Sequence, residues 1–124
     1  MRVMVLVKAT EDSEKGFFLT AETKRMMREM GKFNDELRDA GILIDADGLT
    51  PSAEGKRVVF NGSARTVVDG PFGNAGELVA GFWIWEVKDM DEAVAWVKRC
   101  PNPMLGPSII EIRPFQELDN LPAE

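Results

Sequence analysis

Residues 66–87, TVVDGPFGNAGELVAGFWIWEV, decide the fold of this chain. An apolar run enters a corner dense in glycine and proline and leaves it as the longest hydrophobic segment of the sequence. Residues 69–72, Asp-Gly-Pro-Phe, predict a turn, because glycine tolerates positive φ and proline fixes its own φ without offering an N–H donor. Small or polar residues follow at Gly73, Asn74 and Gly76, so backbone amides here can face a groove instead of pairing in a sheet.

The same corner carries candidate chemistry. Asp69 ends one predicted strand and Glu77 starts the next, which places two carboxylates beside the ring of Phe72. This arrangement suits the mouth of a small-molecule site. The alternative is a tight connection in which Asp69 caps its own turn.

Composition limits the class of protein. A chain of 124 residues that is 44% hydrophobic predicts one globular domain over residues 1–124. The net charge of −6 argues against nucleic-acid binding, which needs clustered Lys and Arg. A single cysteine, Cys100, excludes an internal disulfide and favours a reducing compartment. Without a signal-like segment or an apolar run near the roughly 20 residues of a membrane span, we expect a cytoplasmic protein with no membrane partner.

Hydrophobic periodicity predicts strands that alternate with helices. The first helix shows Met26, Met30, Phe33 and Leu37 on one face, a stripe more typical of core than of a ligand site. The predicted elements, in chain order, are a strand over 2–8, a polar loop over 9–19, a helix over 20–40, a strand over 42–44, a hairpin over 56–60 and 65–68, a strand over 77–87, a helix that opens at 89–92 and stops before Pro101, a strand over 108–113, and an acidic tail over 116–124.

This order predicts an α+β fold, the ferredoxin-like βαββαβ plan with an inserted β-hairpin. Two helices can cover only one face of such a sheet. The other face, with residues such as Phe82 or Trp83, would be an apolar patch too large for a soluble monomer. We therefore expect a homodimer in which a second copy covers that face.

Longer motifs carry a family resemblance. The run Asp69-Gly70-Pro71-Phe72 is followed by Glu77 and by Gly81-Phe82-Trp83-Ile84. Further matching segments lie at 31–34, 36–37, 40–41, 48–49, 51–52, 93–101 and 111–114. Together they resemble the YCII-related family in its DGPF-type subgroup. The resemblance implies a dimeric α/β barrel, in which two sheets close face to face and clefts lie between sheet, loop and partner. One departure is the segment 73–77, Gly-Asn-Ala-Gly-Glu, because the subgroup commonly carries an Ala-Glu-Thr-Lys-Glu-like segment there.

The absence of histidine and tyrosine restricts the possible chemistry. It removes the commonest general base and the commonest zinc ligand, so we expect no metal and no cofactor. YCII-like proteins outside the subgroup are thought to pair a histidine with an aspartate, and that mechanism cannot apply here. Asp69 is the remaining candidate acid or base. Cys100 ends a helix with no base nearby in sequence, which favours a packing role over a nucleophile.

The other candidate site residues would bind a substrate. Arg113 could anchor a substrate carboxylate, with Lys8 beside it, or could simply pair with Glu111 at the end of the sheet. Phe72 and Trp83 would form walls, although Trp83 also suits a dimer core.

The leading functional hypothesis is a homodimeric, cofactor-free protein that binds a small anionic or cyclic metabolite in a cleft lined by the DGPF loop. If it is an enzyme, lyase or isomerase chemistry with Asp69 as base is favoured. The alternative is a non-catalytic ligand-binding or interaction module, since the resemblance implies an association with alternative sigma factors. A heme or flavin monooxygenase is less favoured, because no histidine can ligate iron.

Overall fold

The computed structural model describes residues 1–123. Within this range the strands are β1 (Arg2–Lys8), β2 (Leu43–Gly48), β3 (Lys56–Asn61), β4 (Ala64–Asp69), β5 (Val79–Glu86) and β6 (Ile110–Pro114), and the helices are α1 (Ala21–Asp39) and α2 (Met90–Arg99).

The main sheet has four strands in the order β2-β5-β1-β6, and all neighbours are antiparallel. Without the hairpin, the chain order is βαββαβ. The structure therefore confirms an α+β fold with two helices and an antiparallel sheet, consistent with the ferredoxin-like plan. Strands β3 and β4 pair only with each other, as a separate two-stranded sheet inserted between β2 and β5.

Both helices begin and end where the sequence predicts. The hydroxyl of Thr20 accepts a hydrogen bond from the backbone N–H of Thr23 at 3.1 Å, and Gly41 follows α1 with a φ of 74°. At the start of α2, the carboxylate of Asp89 accepts from the N–H of Glu92 at 2.9 Å. These caps satisfy helix-end donors that have no partner within the helix.

The core lies between the sheet and the two helices. On β1, Val3 and Val5 are fully buried, and the register places Trp85 and Trp83 of β5 directly opposite them. The ring of Phe33 from α1 packs edge-to-face against Trp83 at 6.2 Å and lies 6.3 Å from Trp85. Such pairs contribute about 0.5–1.5 kcal/mol each beyond the burial of their area.

Trp83 corrects one prediction. It was expected on the face that the helices leave open, but it is only 4% exposed and packs beneath α1. Side chains alternate between the two faces of a strand, so Phe82 and Trp83 cannot share a face. Phe82 alone of this pair lies on the open face.

The open face has an apolar centre with charged edges. Met4 and Leu6 of β1 lie opposite Ile84 and Phe82 of β5, and all four are partly exposed. Neither α1 nor α2 packs on this side, because both contact the face that carries Trp83 and Trp85. Nearby positions in the register are charged, namely Asp47 opposite Phe82, Glu111 opposite Leu6 and Arg113 opposite Met4.

Strand boundaries differ from the prediction at the sheet edges. β2 continues to Gly48, well beyond the predicted 42–44, because its backbone pairs with β5 even where Asp45 and Asp47 interrupt the apolar pattern. β6 starts at Ile110 instead of at residue 108. Edge strands are specified by backbone pairing as much as by side-chain burial, so their ends are hard to see in a sequence.

The hairpin lies where the sequence predicts it, but it does not contribute its large apolar side chains to the core. Its two-residue loop is Gly62-Ser63, since Asn61 pairs with Ala64. All of its large apolar side chains are exposed, at 41–70%. They are Val58, Val59, Phe60, Val67 and Val68.

The predicted tail is partly anchored. Just before the tail, Phe115 donates its N–H to the carbonyl of Arg2 at 3.0 Å, and the Arg2 guanidinium lies 4.1 Å from the centre of the Phe115 ring. Within the tail, the Glu117 carboxylate lies 3.7 Å from the same guanidinium. A short helical turn follows at Leu118–Asn120. Glu124, the last residue of the predicted tail, lies outside the described residues. Over the described part of the chain, no helix combines the length and the apolarity needed to cross a membrane.

Replacing Gly31 with alanine is expected to stabilise the protein. Gly31 lies inside α1 without a close neighbour, because a Cβ there would have no atom within 4 Å. Glycine inside a helix costs about 0.5–1 kcal/mol relative to alanine. Urea unfolding of Gly31→Ala should therefore show a free energy of unfolding higher by about that amount, whereas a lower value would mean that the position is crowded.

Candidate functional site

A cleft of about 1080 Å³ opens between α1 and the main sheet. Its floor comes from β1 and β5, one wall comes from α1, and two loops complete its rim. The lining residues from the floor and the helix are Val7, Val79, Ala80, Gly81, Trp83, Met26, Met27, Met30, Gly31 and Asn34. The lining residues from β2, the loops and the segment before β6 are Ala46–Pro51, Ala53, Glu54, Ser13–Phe17, Pro103 and Met104.

The helical stripe divides into two parts. Phe33 and Leu37 are buried in the core, as predicted, whereas Met26 and Met30 are partly exposed and line the cleft. The stripe changes from buried to partly exposed because Trp83 is the last aromatic side chain on this face of β5. The next position on the same face, Gly81, has no side chain to fill the space below the helix. Methionine side chains are flexible and polarisable, so this wall can adapt to different apolar shapes.

Asn34 provides a polar group in this lining. The indole N–H of Trp83 donates to Oδ1 of Asn34 at 2.8 Å. Asn34 is not among the site residues predicted from the sequence. A signal was present, since an amide four residues after Met30 adds a polar group to the flank of an apolar stripe.

The predicted loop at 9–19 forms one side of the cleft. The carboxylate of Glu14 accepts hydrogen bonds from the backbone N–H of Ser52, at 2.8 Å, and from its hydroxyl. The same hydroxyl oxygen accepts from the backbone N–H of Phe72 at 3.0 Å. Glu14 and Ser52 thus connect this loop to the segment after β2 and to the DGPF turn.

The cleft has an acidic lining. The charged side chains on this side of the sheet are Glu14, Glu54 and Lys15, so two carboxylates accompany one ammonium group, while Asp47 borders the cleft but alternates onto the open face with Phe82. Two of the hydrogen bonds to Glu14 come from Ser52. The net negative charge of the lining favours a neutral or positively charged ligand over an anion.

A second, smaller pocket of about 600 Å³ lies against the DGPF turn. It is lined by Thr10, Glu11, Glu14, Pro71, Phe72, Gly73, Asn74, Ala75 and Gly76. Within it, Oδ1 of Asn74 accepts from the N–H of Gly76 at 3.1 Å, which uses one of the loop amides. Glu14 lines both pockets, so the two pockets share a wall.

Gly70 shows why the turn needs glycine. Its N–H donates to the carbonyl of Gly55 at 3.0 Å, which brings the turn against the segment that precedes β3. A Cβ at Gly70 would lie 1.7 Å from the carbonyl oxygen of Ser52. The Gly70–Pro71 peptide bond is cis. Backbone therefore packs directly on backbone at this corner.

Asp69 is neither in a cleft nor bonded to the amides of its own turn. Its side chain is 74% exposed, and its carboxylate lies 2.5 Å from Nζ of Lys56 across the hairpin. Phe72 is half-buried, and the guanidinium of Arg57 stacks 4.1 Å from the centre of its ring. Phe72 lines the smaller pocket, whereas Trp83 lines the larger one.

The remaining predicted site residues lie elsewhere. Arg113 contacts Glu111 at 3.2 Å, which is the ion-pair alternative, and both belong to the open face of the sheet. Lys8 ends β1 and lines neither pocket. The structure therefore does not bring Lys8, Asp69, Phe72, Trp83, Glu111 and Arg113 together in one pocket.

Cys100 and the acidic residues offer little further chemistry. Burial raises the pKa of the Cys100 thiol to about 12, so at neutral pH it is a protonated, poorly nucleophilic group. This matches the packing role expected from the sequence. Among residues 1–123, no group of three or more His, Cys, Asp or Glu side chains is placed to hold a metal ion.

Comparison with known proteins identifies the family. The sequence profile of the YCII-related domain matches residues 1–116, and the chain therefore belongs to the YCII-related family. A relative in Rhizobium meliloti (strain 1021) is 26% identical over 94 residues, which cover 76% of each chain. That relative is described only as an uncharacterised protein.

The DGPF turn provides a matched pair of substitutions. Gly70→Ala is expected to lower the free energy of unfolding by about 1–3 kcal/mol, because the new methyl group forces backbone segments apart. Gly73→Ala in the same loop should change it little, since a Cβ there would have no atom within 4 Å. Chemical denaturation of both variants measures the difference. Equal losses in the two variants would show that the close approach at Gly70 is not the cause.

Proposed function

We propose that this chain is a small-molecule-binding protein whose ligand occupies the cleft between α1 and the sheet. The observation that carries the proposal is the lining itself, which combines adaptable methionines, the edge of an aromatic floor and a single oriented amide. Ligand sites are typically mostly apolar concave surfaces of about 300–1,000 Å³ with a few placed polar groups. This cleft fits that description.

The charge of the lining selects the class of ligand. The sequence suggested a small anionic or cyclic metabolite, and the carboxylates of Glu14 and Glu54 support the cyclic or otherwise apolar alternative over the anionic one. Among the described residues that line the cleft, Lys15 is the one cationic side chain with which an anion could pair. We therefore propose an uncharged, largely apolar ligand.

We propose ligand binding at this cleft and assign no reaction to it. Catalysis by Asp69 stays a prediction, and the exposed ion pair with Lys56 does not favour it. A connection to sigma-factor regulation and a cytoplasmic location stay predictions as well. Membership of the DGPF-type subgroup is also part of the proposal, supported by the Asp69–Phe72 motif and by the close backbone approach that Gly70 permits.

We further propose that the chain forms a homodimer of the dimeric α/β-barrel type. The open face supports this proposal, because the apolar centre formed by Met4, Leu6, Phe82 and Ile84 has no helix over it. Charged positions at its edges, including Glu111 and Arg113, suit the rim of an interface. The exposed apolar side chains of the hairpin add surface that favours association.

Filling the cleft tests the binding proposal. Gly31→Phe should place a ring in open space on the α1 wall, whereas Gly31→Ala adds one methyl group and serves as the size control. A ligand found by thermal-shift screening of uncharged metabolites at one hundred times its Kd stabilises the native state by about 2.7 kcal/mol. This stabilisation should persist in Gly31→Ala and be lost in Gly31→Phe. A ligand that stabilises all three proteins equally binds elsewhere and would contradict the proposal.

A charge on the open face tests the dimer. Leu6→Lys places an ammonium group in the centre of the proposed interface, while Glu111 lies opposite it and helps the monomer to tolerate the change. Sedimentation velocity should show a dimer for the wild type and a monomer for Leu6→Lys. Ala40→Lys adds the same charge just after α1 and should remain dimeric. A monomeric wild type at high concentration would remove the proposed interface.

A further inference from the structure

Trp83 fixes the orientation of the Asn34 side chain. An indole N–H can only donate, so the atom of Asn34 that it meets at 2.8 Å must be the amide oxygen. The indole itself cannot turn, because Trp83 is 4% exposed and its ring packs against Phe33 and Trp85. The amide of Asn34 is therefore held in one of its two possible orientations.

This orientation leaves the amide nitrogen available. Within residues 1–123, Nδ2 of Asn34 makes no hydrogen bond to another protein atom, while the residue itself lines the cleft. An amide nitrogen carries two N–H donors. The polar group that Asn34 offers to the cleft is thus a donor, with its acceptor oxygen already used by Trp83.

The surroundings restrict which acceptor can use this donor. The carboxylates of Glu14 and Glu54 make the cleft unfavourable for a carboxylate or phosphate ligand. The neighbouring wall from α1 consists of methionine side chains, which suit an apolar body. A neutral carbonyl oxygen on an apolar frame satisfies both conditions.

We infer that Asn34, positioned by Trp83, is a specificity-determining residue that donates a hydrogen bond to a neutral carbonyl oxygen on an apolar, cyclic ligand. This inference rests on the proposed small-molecule function and adds the chemical class of the ligand. The Trp83 indole does not contact the carbonyl in this arrangement, so it acts as a positioning residue. The thioethers of Met26 and Met30 contact the apolar frame.

A matched set of probes tests the inference. The bicyclic ketone 1-indanone carries the carbonyl, indane has the same frame without it, and indane-1-carboxylate replaces it with an anion. Titrations of ¹⁵N-labelled wild-type protein give Kd values and show whether the signals of Gly31 and of the Trp83 indole move. We expect both signals to move and 1-indanone to bind about tenfold more tightly than indane, which is the effect of roughly one net hydrogen bond. We expect the carboxylate to bind more weakly than either.

Two variants separate the hydrogen-bond donor of Asn34 from the positioning role of Trp83. Asn34→Asp keeps the shape and still accepts from the Trp83 indole, but it removes both N–H donors, so the preference for 1-indanone over indane should disappear. Trp83→Phe keeps a ring in the core and frees the amide to turn, so it should reduce the preference. Asn61→Asp adds the same charge on the hairpin and should leave the preference unchanged. The indole N–H signal in Asn34→Asp reports that the core is intact.

The outcomes distinguish the role of Asn34 from the proposed binding function of the cleft. If 1-indanone and indane both move the cleft signals with equal Kd, or if Asn34→Asp retains the preference, the role of Asn34 is wrong while the cleft remains a binding site. If neither probe moves the cleft signals, both the role of Asn34 and the proposed function of the cleft are overturned.

Discussion

The packing of Phe33 against Trp83 and Trp85 sets the distance between α1 and the sheet. The centres of these three rings lie 5.8–6.3 Å apart, and all three side chains are buried in the core. Toward the start of α1 the helix side chains change from an aromatic ring to methionines, and the sheet side chains change to glycine and alanine at Gly81 and Ala80. The aromatic rings hold α1 away from the sheet near Phe33, whereas the start of α1 faces smaller residues of the sheet. The cleft is the space that this difference leaves.

Much of the architecture was accessible from the sequence because the strong signals were local. The caps of both helices, the position of the hairpin and the order of the elements all follow from short motifs with a known physical cause. The assignment of faces was less secure. Trp83 and Phe82 are neighbours of similar character, and only the pairing of β5 with β1 shows which one faces the helices.

The candidate site was harder to predict, for a different reason. Sequence motifs directed attention to Asp69 and the DGPF turn, where the structure shows an exposed ion pair and a small pocket. The larger cleft depends on residues from α1, β5 and two loops that meet only after folding. Asn34 becomes noticeable only when its amide is seen bonded to Trp83, a residue 49 positions away in the chain. A donor whose role depends on its partner has no signature in the sequence alone.

The inserted hairpin is joined to the rest of the protein through its base and not through its sheet. β3 and β4 share ladder hydrogen bonds only with each other, and Gly70 binds Gly55 where the two strands converge. Lengthening or shortening the arm by matched pairs of residues would leave the register of the four central strands unchanged. The hairpin should therefore tolerate changes in length better than the central strands, and its amides should exchange with solvent deuterium through local opening well before the central sheet unfolds.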